Sequence, residues 1–275
     1  MSEYEFIKTE RQGSTVIARL SNPPRNLLNA KMVVELAALT RAVEEDDAAR
    51  SLVLTGDAEG VFITHYDVGE LSTASDRVRE QEPPAGGQDP PARDRAVELH
   101  GMHKLLLYMQ AMSKPVLAAI NGTAMGGGCE LALACDFRYI ARGSIIGLPE
   151  VRVGILPGAG GTQRMARLLG TAKALELMLL GEVVSAEEAE RIGLVHKAVE
   201  PAQLLPQTLA LATELASRPP LSIALIKRCV LQGSELPLVD ALRLEQEAFM
   251  ETMRSDDASR LMRGFQAGDT PLNER

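Results

Sequence analysis

Two glycine-rich segments constrain the fold of this chain more than any other feature of its sequence. The first glycine turn covers residues 122–130 and reads GTAMGGGCE, and the second glycine turn covers residues 147–161 and reads GLPEVRVGILPGAGG. Each runs from an extended apolar stretch through glycines into an apolar helical pattern. Glycine lowers the stability of a helix start, but it lets another group approach the backbone closely. The sequence therefore predicts two strand-to-helix connections whose unpaired backbone amides face a ligand.

Strands and helices alternate on both sides of these turns. The N-terminus reads as a hairpin around Gln12-Gly13, and Asn29 is placed to cap the first helix. The clearest strands are predicted at 51–56, 115–120, 136–141 and 194–199, and the clearest helices at 171–180 and 185–192. Such alternation is typical of an α/β core. After Pro201 the pattern changes to helices alone, so we predict a core over residues 1–200 and a helical region over residues 201–275.

Residues 72–95 do not fit this pattern. The part from 75 to 95 combines many charges with four prolines and two glycines and has almost no apolar residue. Such a segment cannot bury enough apolar surface to offset the entropy of ordering. It is either a mobile loop beside the site or a neutral surface insertion.

Composition excludes several classes of function. The formal net charge of −8 argues against a general nucleic-acid or anionic-membrane binder, and aromatic residues, at 3% with no Trp, are too few for base-stacking platforms. No apolar run reaches the length of a membrane span, and the N-terminus has no signal-peptide pattern. Three cysteines, an odd and sparse count, indicate reduced thiols in a cytoplasmic protein.

Each glycine turn also carries one carboxylate, Glu130 in the first and Glu150 in the second. A carboxylate on an apolar helix is costly unless it is paired or used. If the turns face one another, burial and mutual repulsion separate the pKa values of the two groups, so that one holds a proton while the other accepts one. Such a pair, beside oriented N–H groups, is suited to moving protons on a substrate whose oxygen becomes negative.

The two turns together, NGTAMGGGCELALACD and GLPEVRVGILPGAGGTQR, resemble the signature of the crotonase superfamily, also called the enoyl-CoA hydratase/isomerase family. The resemblance extends from the hairpin to about residue 255. It implies an α/β fold, a spiral of ββα units with a helical C-terminal region that forms homotrimers, often paired into hexamers. It also implies a coenzyme A thioester as substrate, with no permanently bound cofactor.

The resemblance assigns roles to individual residues. Glu130 and Glu150 match the two glutamates that hold the water added to a 2-enoyl-CoA, and Gly158 matches a backbone position close to that water. The amides of Gly127 and Tyr66 match the two donors to the thioester oxygen. Tyr66 is assigned through the stretch Thr64-His65-Tyr66-Asp67, which stands where the family has AGAD.

Departures from the family pattern concern the coenzyme. Thr64, His65 and Tyr66 add bulk where small residues admit the thioester and adenine, and we count Thr64, His65 and Asp67 as contacts of coenzyme A or substrate. Arg25 matches a basic position that touches the phosphates, and Leu27 lies in the segment that lines the adenine. Gly69 stands where many members have Lys, and the tail lacks the usual basic ending, so two further phosphate contacts are missing.

Three functions remain open from the sequence. The leading one is a hydro-lyase acting on a 2-enoyl-CoA. The second is a hydrolase, C–C bond cleaver or isomerase that uses His65, whose side chain titrates near neutral pH; a packing role for His65 is the alternative. The third is a silent acyl-CoA-binding protein. His100 and His103 have a spacing compatible with a metal, but no third ligand is evident, so no metal site is predicted.

Overall fold

The computed structural model describes residues 4–80 and 98–268. In these residues the strands are β1 (Ile7–Gln12), β2 (Thr15–Leu20), β3 (Ser51–Gly56), β4 (Gly60–Ile63), β5 (Val116–Ile120), β6 (Gly122–Met125), β7 (Phe137–Ala141), β8 (Ile145–Gly147), β9 (Val183–Ser185) and β10 (Lys197–Val199). The helices are α1 (Ala30–Glu45), α2 (Val68–Glu80), α3 (Gly101–Ala111), α4 (Gly127–Leu133), α5 (Gly161–Leu169), α6 (Thr171–Leu180), α7 (Ala186–Arg191), α8 (Pro201–Ser217), α9 (Pro220–Gly233), α10 (Leu238–Met253) and α11 (Asp256–Ala267). Glu150–Val153 form a short 3₁₀ helix.

From β3 to β8, successive strands alternate between two sheets. The larger sheet has the order β1-β2-β3-β5-β7-β10, and the smaller has the order β4-β6-β8-β9. The larger sheet is parallel except for the β1–β2 hairpin, and β9 is antiparallel to β8 in the smaller one. The pairs β3–β4, β5–β6 and β7–β8 each have one strand in either sheet and are followed by helices, which confirms the predicted spiral of ββα units.

The strands of the larger sheet are buried on both faces. Leu52 and Leu54 of β3 face the main core between the sheets and helices α1 and α3, whereas Val53 faces a second apolar cluster under α8. This explains why β3 and β5 read as continuous apolar runs rather than alternating ones. Within the first glycine turn, residues 126–130 follow directly from β6, so they are held against this core.

Local signals in the sequence define several elements correctly. The hairpin turns between Gln12 and Thr15, and the side chain of Asn29 accepts a hydrogen bond from the Met32 amide at 2.8 Å. The strand predicted at 194–199 begins only at Lys197, because the amides of Leu194 and Val195 both donate to the Ala189 carbonyl at the end of α7.

The segment predicted as a loop from residue 72 is helical as far as Glu80. Helix α2 has no buried residue, so apolar packing does not explain it. The carboxylate of Asp67 accepts from the Gly69 amide at 2.8 Å, and the helix carries Glu70 in its first turn and Arg77 and Arg79 in its last, charges that match the helix dipole. The rest of the predicted loop, up to residue 95, lies outside the described residues.

In the described chain, all elements after Val199 are helices. Helix α8 packs on the larger sheet. Helix α9, which follows, is anchored by Lys227, whose side chain is 8% exposed and donates to Asp136 at 2.8 Å. Among the described residues, no single helix is long and apolar enough to cross a membrane. Helices α8 and α9 reach that length and apolarity only when taken together, and they are bent by 107° at the break between them. The division into domains at residue 200 stays a prediction.

Candidate active site

The two glycine turns face one cavity of about 670 Å³. Both glutamates line it, and so do four other residues identified in the sequence, namely His65, Tyr66, Gly127 and Gly158. Strands β4, β6 and β8 lie side by side in the smaller sheet, and their carboxyl ends deliver these residues to one edge. The topology thus assembles residues that are far apart in the chain.

Two glycines of the first glycine turn, Gly126 and Gly127, shape the site directly. Gly126 has φ +51°, a conformation that side chains disfavour, and its amide donates to the Gly147 carbonyl at 3.0 Å. A Cβ placed on Gly127 would lie 3.2 Å from the Tyr66 Cβ and 3.5 Å from the Tyr66 amide nitrogen. The absence of a side chain at Gly127 therefore lets the two backbone segments meet.

At this meeting point the amides of Tyr66 and Gly127 make no hydrogen bond to any other described residue. The His65 carbonyl accepts from Leu28 at 2.9 Å and the Asp67 amide donates to the Leu28 carbonyl at 2.8 Å, so the Tyr66 amide, between them, is left out of this pairing. Gly127 is the first residue of α4 and its amide has no acceptor among the described residues. Two neighbouring donors beside a cavity are the arrangement that an oxyanion requires.

Glu130 is buried and firmly held. Its side chain is 3% exposed, and Oε1 accepts from the amides of Ala159 and Gly161 at 2.6 and 2.8 Å. Burial raises the pKa of Glu130 above its ordinary value, and the two amides, followed by Arg164 and His100, offset only part of that rise. The second glycine turn therefore supplies the donors that stabilise the carboxylate belonging to the first.

Glu150 has a different environment. It begins the 3₁₀ helix of the second turn, and its Oε2 is buried with no hydrogen-bond partner among the described residues. Burial is the main cause that raises the pKa of Glu150 to about 7, its own backbone amide opposes this, and the charge of Glu130 adds to it. The pKa of Glu150 thus lies near neutrality, so this group can hold a proton that the medium can also remove, whereas the ionised form of Glu130 is stabilised by two amide donors.

The three bulky residues that replace the small ones of the family pattern are bonded to their own surroundings. The His65 Nδ1 donates to the Tyr66 carbonyl at 2.6 Å, which fixes the ring and leaves Nε2 as the acceptor of the neutral form. The Tyr66 hydroxyl donates to Glu70 at 2.9 Å, and the pKa of Tyr66 is raised, mainly by burial and then by Glu70. The Thr64 hydroxyl donates to the Arg25 carbonyl.

Four residues predicted to contact coenzyme A lie outside the lining of the cavity: Arg25, Leu27, Thr64 and Asp67. Arg25 is exposed and Leu27 half-buried, on a segment held by Asn26, whose side chain donates to the carbonyls of Leu20 and Phe62. Asp67 caps α2. None of the four lines the cavity, and their roles in binding coenzyme A stay predictions.

Sequence reasoning missed the contribution of α3. His100, just before this helix, lines the cavity, and its Nε2 lies 2.8 Å from the Gly158 carbonyl. The contact joins residues 58 apart in sequence, and no local spacing announces it. The rings of His100 and His103 lie 4.1 Å apart, and no group of three or more metal-ligating side chains occurs in the described chain.

The remaining walls of the cavity are apolar. One side is formed by Val33, Val34 and Met102 of α1 and α3, and the other by Val153, Ile155 and Leu156 of the second glycine turn. Leu156 is 67% exposed and Val34 is 68% exposed, so the mouth is lined by accessible aliphatic side chains. The site can accept an apolar chain beside its polar centre.

Known proteins resemble this chain along nearly all of its length. A family model described as enoyl-CoA hydratase/isomerase matches residues 10–269. The crotonyl-CoA hydratase of Syntrophomonas wolfei is 35% identical, with 95% of each chain covered, and the short-chain-enoyl-CoA hydratase of Clostridium acetobutylicum is 33% identical, covering 96% of this chain and 95% of that protein. The crystal structure of an enoyl-CoA hydratase from Bacillus anthracis has a TM-score of 0.84 and 30% identity, with 98% of each chain covered.

Proposed function

Since this chain belongs to the enoyl-CoA hydratase/isomerase family, we propose that it is a hydro-lyase that adds water across the double bond between C2 and C3 of a 2-enoyl-CoA. The observation that carries the proposal is the unequal environment of two carboxylates on one cavity. Glu130 accepts two backbone hydrogen bonds, whereas Glu150 has a buried oxygen that accepts none from the described residues. One is prepared to take a proton and the other to give one.

The thioester carbonyl oxygen would be bound by the amides of Tyr66 and Gly127. As a nucleophile adds at C3, negative charge moves to this oxygen, and two fixed donors stabilise it more than they stabilise the neutral substrate. Loss of one such donor typically costs about 2.7–4 kcal/mol of activation free energy. The free state of both amides supports this assignment.

The two carboxylates would then divide the proton transfers. Glu130 takes a proton from water as its oxygen attacks C3, and Glu150 delivers a proton to C2 as the enolate collapses. After one turnover Glu130 has gained a proton and Glu150 has lost one. The starting state is restored when a proton passes from Glu130 to Glu150, directly or through solvent. Gly158 would hold the water from the exposed edge of the second glycine turn. General acid–base catalysis of this kind contributes about 10²–10⁴-fold in rate.

The acyl group would be an apolar chain, because the cavity walls are aliphatic. Relatives named for crotonyl-CoA and short-chain substrates support a short chain. Coenzyme A would lie outside the cavity lining, along Arg25, Leu27, Thr64 and Asp67, with His65 at the boundary between coenzyme and acyl chain. No permanently bound cofactor is needed in this scheme.

The C-terminal helices would form the contacts of a homotrimer or hexamer. Large apolar side chains are exposed on them, including Val230 at 64%, Leu238 at 73% and Phe249 at 56%. Exposed apolar surface of this extent is typical of an interface. A cytoplasmic location would agree with the three free cysteines.

Turnover of defined thioesters tests the proposal. Purified protein is mixed with 2-enoyl-CoA substrates of several chain lengths, and the absorbance of the conjugated enoyl-thioester is followed, with Glu150→Gln as the matched variant. We expect the absorbance to fall with the wild type and to fall far more slowly with the variant. Binding of acyl-CoA without loss of absorbance would refute the hydratase assignment.

His65 supports a second candidate, hydrolysis, C–C bond cleavage or isomerisation. Its ring lines the cavity, and the bond from Nδ1 to the Tyr66 carbonyl leaves Nε2 able to accept a proton. The candidate requires His65→Ala to abolish turnover while crotonyl-CoA is left unchanged by the wild type. Acyl-CoA affinity without any chemistry would instead indicate a silent binder.

A further inference from the structure

His100 makes a single directed contact with the active site. It precedes the first residue of α3, yet its side chain does not cap that helix. Its Nε2 instead lies 2.8 Å from the carbonyl oxygen of Gly158. A carbonyl can only accept, so Nε2 carries the hydrogen of this bond. The ring is exposed, and burial therefore does not explain its orientation.

The peptide group that His100 contacts is the one that holds Glu130. The Gly158 carbonyl and the Ala159 amide belong to one planar unit, and that amide donates to Glu130 Oε1 at 2.6 Å. The atoms form one chain, from the imidazole N–H through the peptide group to the carboxylate. Hydrogen bonds in such a chain polarise one another, so a donor at the carbonyl strengthens the bond made by the amide.

We propose that His100 is a positioning residue, which acts through the Gly158–Ala159 peptide group to keep the Glu130 carboxylate oriented and ionised. The inference rests on the proposed function for its kinetic meaning, but its effect on Glu130 exists without substrate. The residue just before α3 would thus contribute to the chemistry, although it belongs to neither glycine turn.

Of the other titratable groups around Glu130, Arg164 also favours its ionised form, whereas a charge on Glu150 opposes it. Arg164 donates to the Ala159 carbonyl at 2.9 Å and is itself held by Gln110. The His103 ring lies against the His100 ring at an angle of 46°, and the pKa of His103 is lowered first by burial and then by His100 and Arg164. Glu150 faces Glu130 across the cavity. The peptide bonds between residues 158 and 160 are thus held from two helices, by His100 before α3 and by Arg164 of α5.

Two substitutions at one position separate this role from a structural one. His100→Leu removes the donor, whereas His100→Gln keeps an N–H of similar reach. His103→Gln is the matched control, because His103 lies three residues further along, inside α3, and makes no hydrogen bond to Gly158. The carboxyl of Glu130 is titrated in each ligand-free protein by ¹³C NMR of labelled glutamate, with Glu130→Gln to assign the signal.

We expect the titration of Glu130 in His100→Leu to move to higher pH by about 0.5 unit, a roughly three-fold change in proton affinity. His100→Gln and His103→Gln should stay close to the wild type. The acidic limb of kcat/KM for hydration should move by the same amount in His100→Leu, with little change in KM. No shift in His100→Leu, or equal shifts in both His100 variants, would overturn the proposal. Because the NMR titration uses no substrate, it is independent of whether the wild type hydrates an enoyl-CoA.

Discussion

The first and second glycine turns both bring a glutamate to the same cavity, but they do so in opposite ways. Residues 126–130 of the first turn are all buried, whereas residues 151–156 of the second are all exposed. The buried turn carries the carboxylate that is held by two amides, and the exposed turn carries the one with an unpaired oxygen. The difference shows how one fold gives two chemically identical groups different proton affinities.

The comparison also shows that each turn completes the other. The donors to Glu130 come from Ala159 and Gly161 of the second turn, and a Cβ on Gly126 of the first would lie 3.2 Å from Glu150 Oε1. Each turn therefore depends on the other for the environment of its glutamate. We therefore expect changes in one turn to alter the behaviour of the glutamate in the other.

The largest effect should come from removing either carboxylate. Glu130→Gln and Glu150→Gln are each expected to lower kcat by about 10²–10⁴-fold, because the base or the acid is lost. Steady-state kinetics on a 2-enoyl-CoA measures this, with the exposed Glu59→Gln as control. If one of the two site variants keeps wild-type kcat, the division of roles between the turns is wrong.

A smaller loss is expected from Gly127→Ala. The added methyl would press on the Tyr66 Cβ at 3.2 Å and separate the two free amides, so kcat should fall by about 10²-fold. Gly233→Ala is the matched control, because its new Cβ meets only the Ala241 Cβ at 3.6 Å, far from the site. Equal activity of the two alanine variants would argue against an oxyanion site at this contact.

The pH dependence of kcat/KM should have two limbs. Glu150 must be protonated to act as the acid, and its pKa is raised to about 7, so activity should fall as the pH rises above that value. Glu130 must be ionised, so activity should fall again at lower pH. A profile that stays flat through neutral pH into the alkaline range would contradict the proton on Glu150.

The smallest effect concerns stability. The pKa of Glu150 is raised from 4.5 to about 7 on folding, so the folded protein binds this proton more tightly than the unfolded chain. The free energy of unfolding should therefore fall as the pH rises from about 4.5 to 7. A shift of this size corresponds to roughly 3 kcal/mol without screening, and solvent at the partly exposed Glu150 reduces it. Glu150→Gln removes this penalty and should therefore be more stable than the wild type by about 1–2 kcal/mol at pH 8, with almost no gain at pH 4.

Urea unfolding at the two pH values measures this difference. Glu130→Gln is the comparison variant, because the carboxylate it replaces already has two hydrogen-bond donors. A gain in Glu130→Gln equal to that in Glu150→Gln at high pH would show that the two environments do not differ in the way described.

Local chemistry made much of this molecule predictable from its sequence. The hairpin, the Asn29 cap and the helix from Thr171 to Leu180 depend on residues close together in the chain, and all three are present. The spiral of ββα units followed from motifs that resemble a known family. Glu130 and Glu150 were chosen because carboxylates beside glycines are costly without a use, and they do line one cavity.

Contacts between residues far apart in the chain were not predictable, and neither were elements that depend on small differences between local interactions. The bond from His100 to Gly158 joins separate elements, and no periodicity points to it. Helix α2 was expected to be a loop from residue 72 because it lacks apolar residues, yet its charges are ordered along the helix dipole. Ser185 and Glu188 have the spacing of a capping box, but only half of the box forms: the Ser185 side chain accepts from the Glu188 amide, whereas the Glu188 carboxylate pairs with Arg191.

The measurement that tests the central claim most directly is isotope-edited infrared spectroscopy of the glutamate carboxyl groups near pH 6, about one unit below the pKa of Glu150. The wild type should show the C=O stretch of a buried protonated carboxyl. This band should disappear in Glu150→Gln and persist in Glu130→Gln. A band that persists in Glu150→Gln and disappears in Glu130→Gln would place the proton on the other turn and contradict the account.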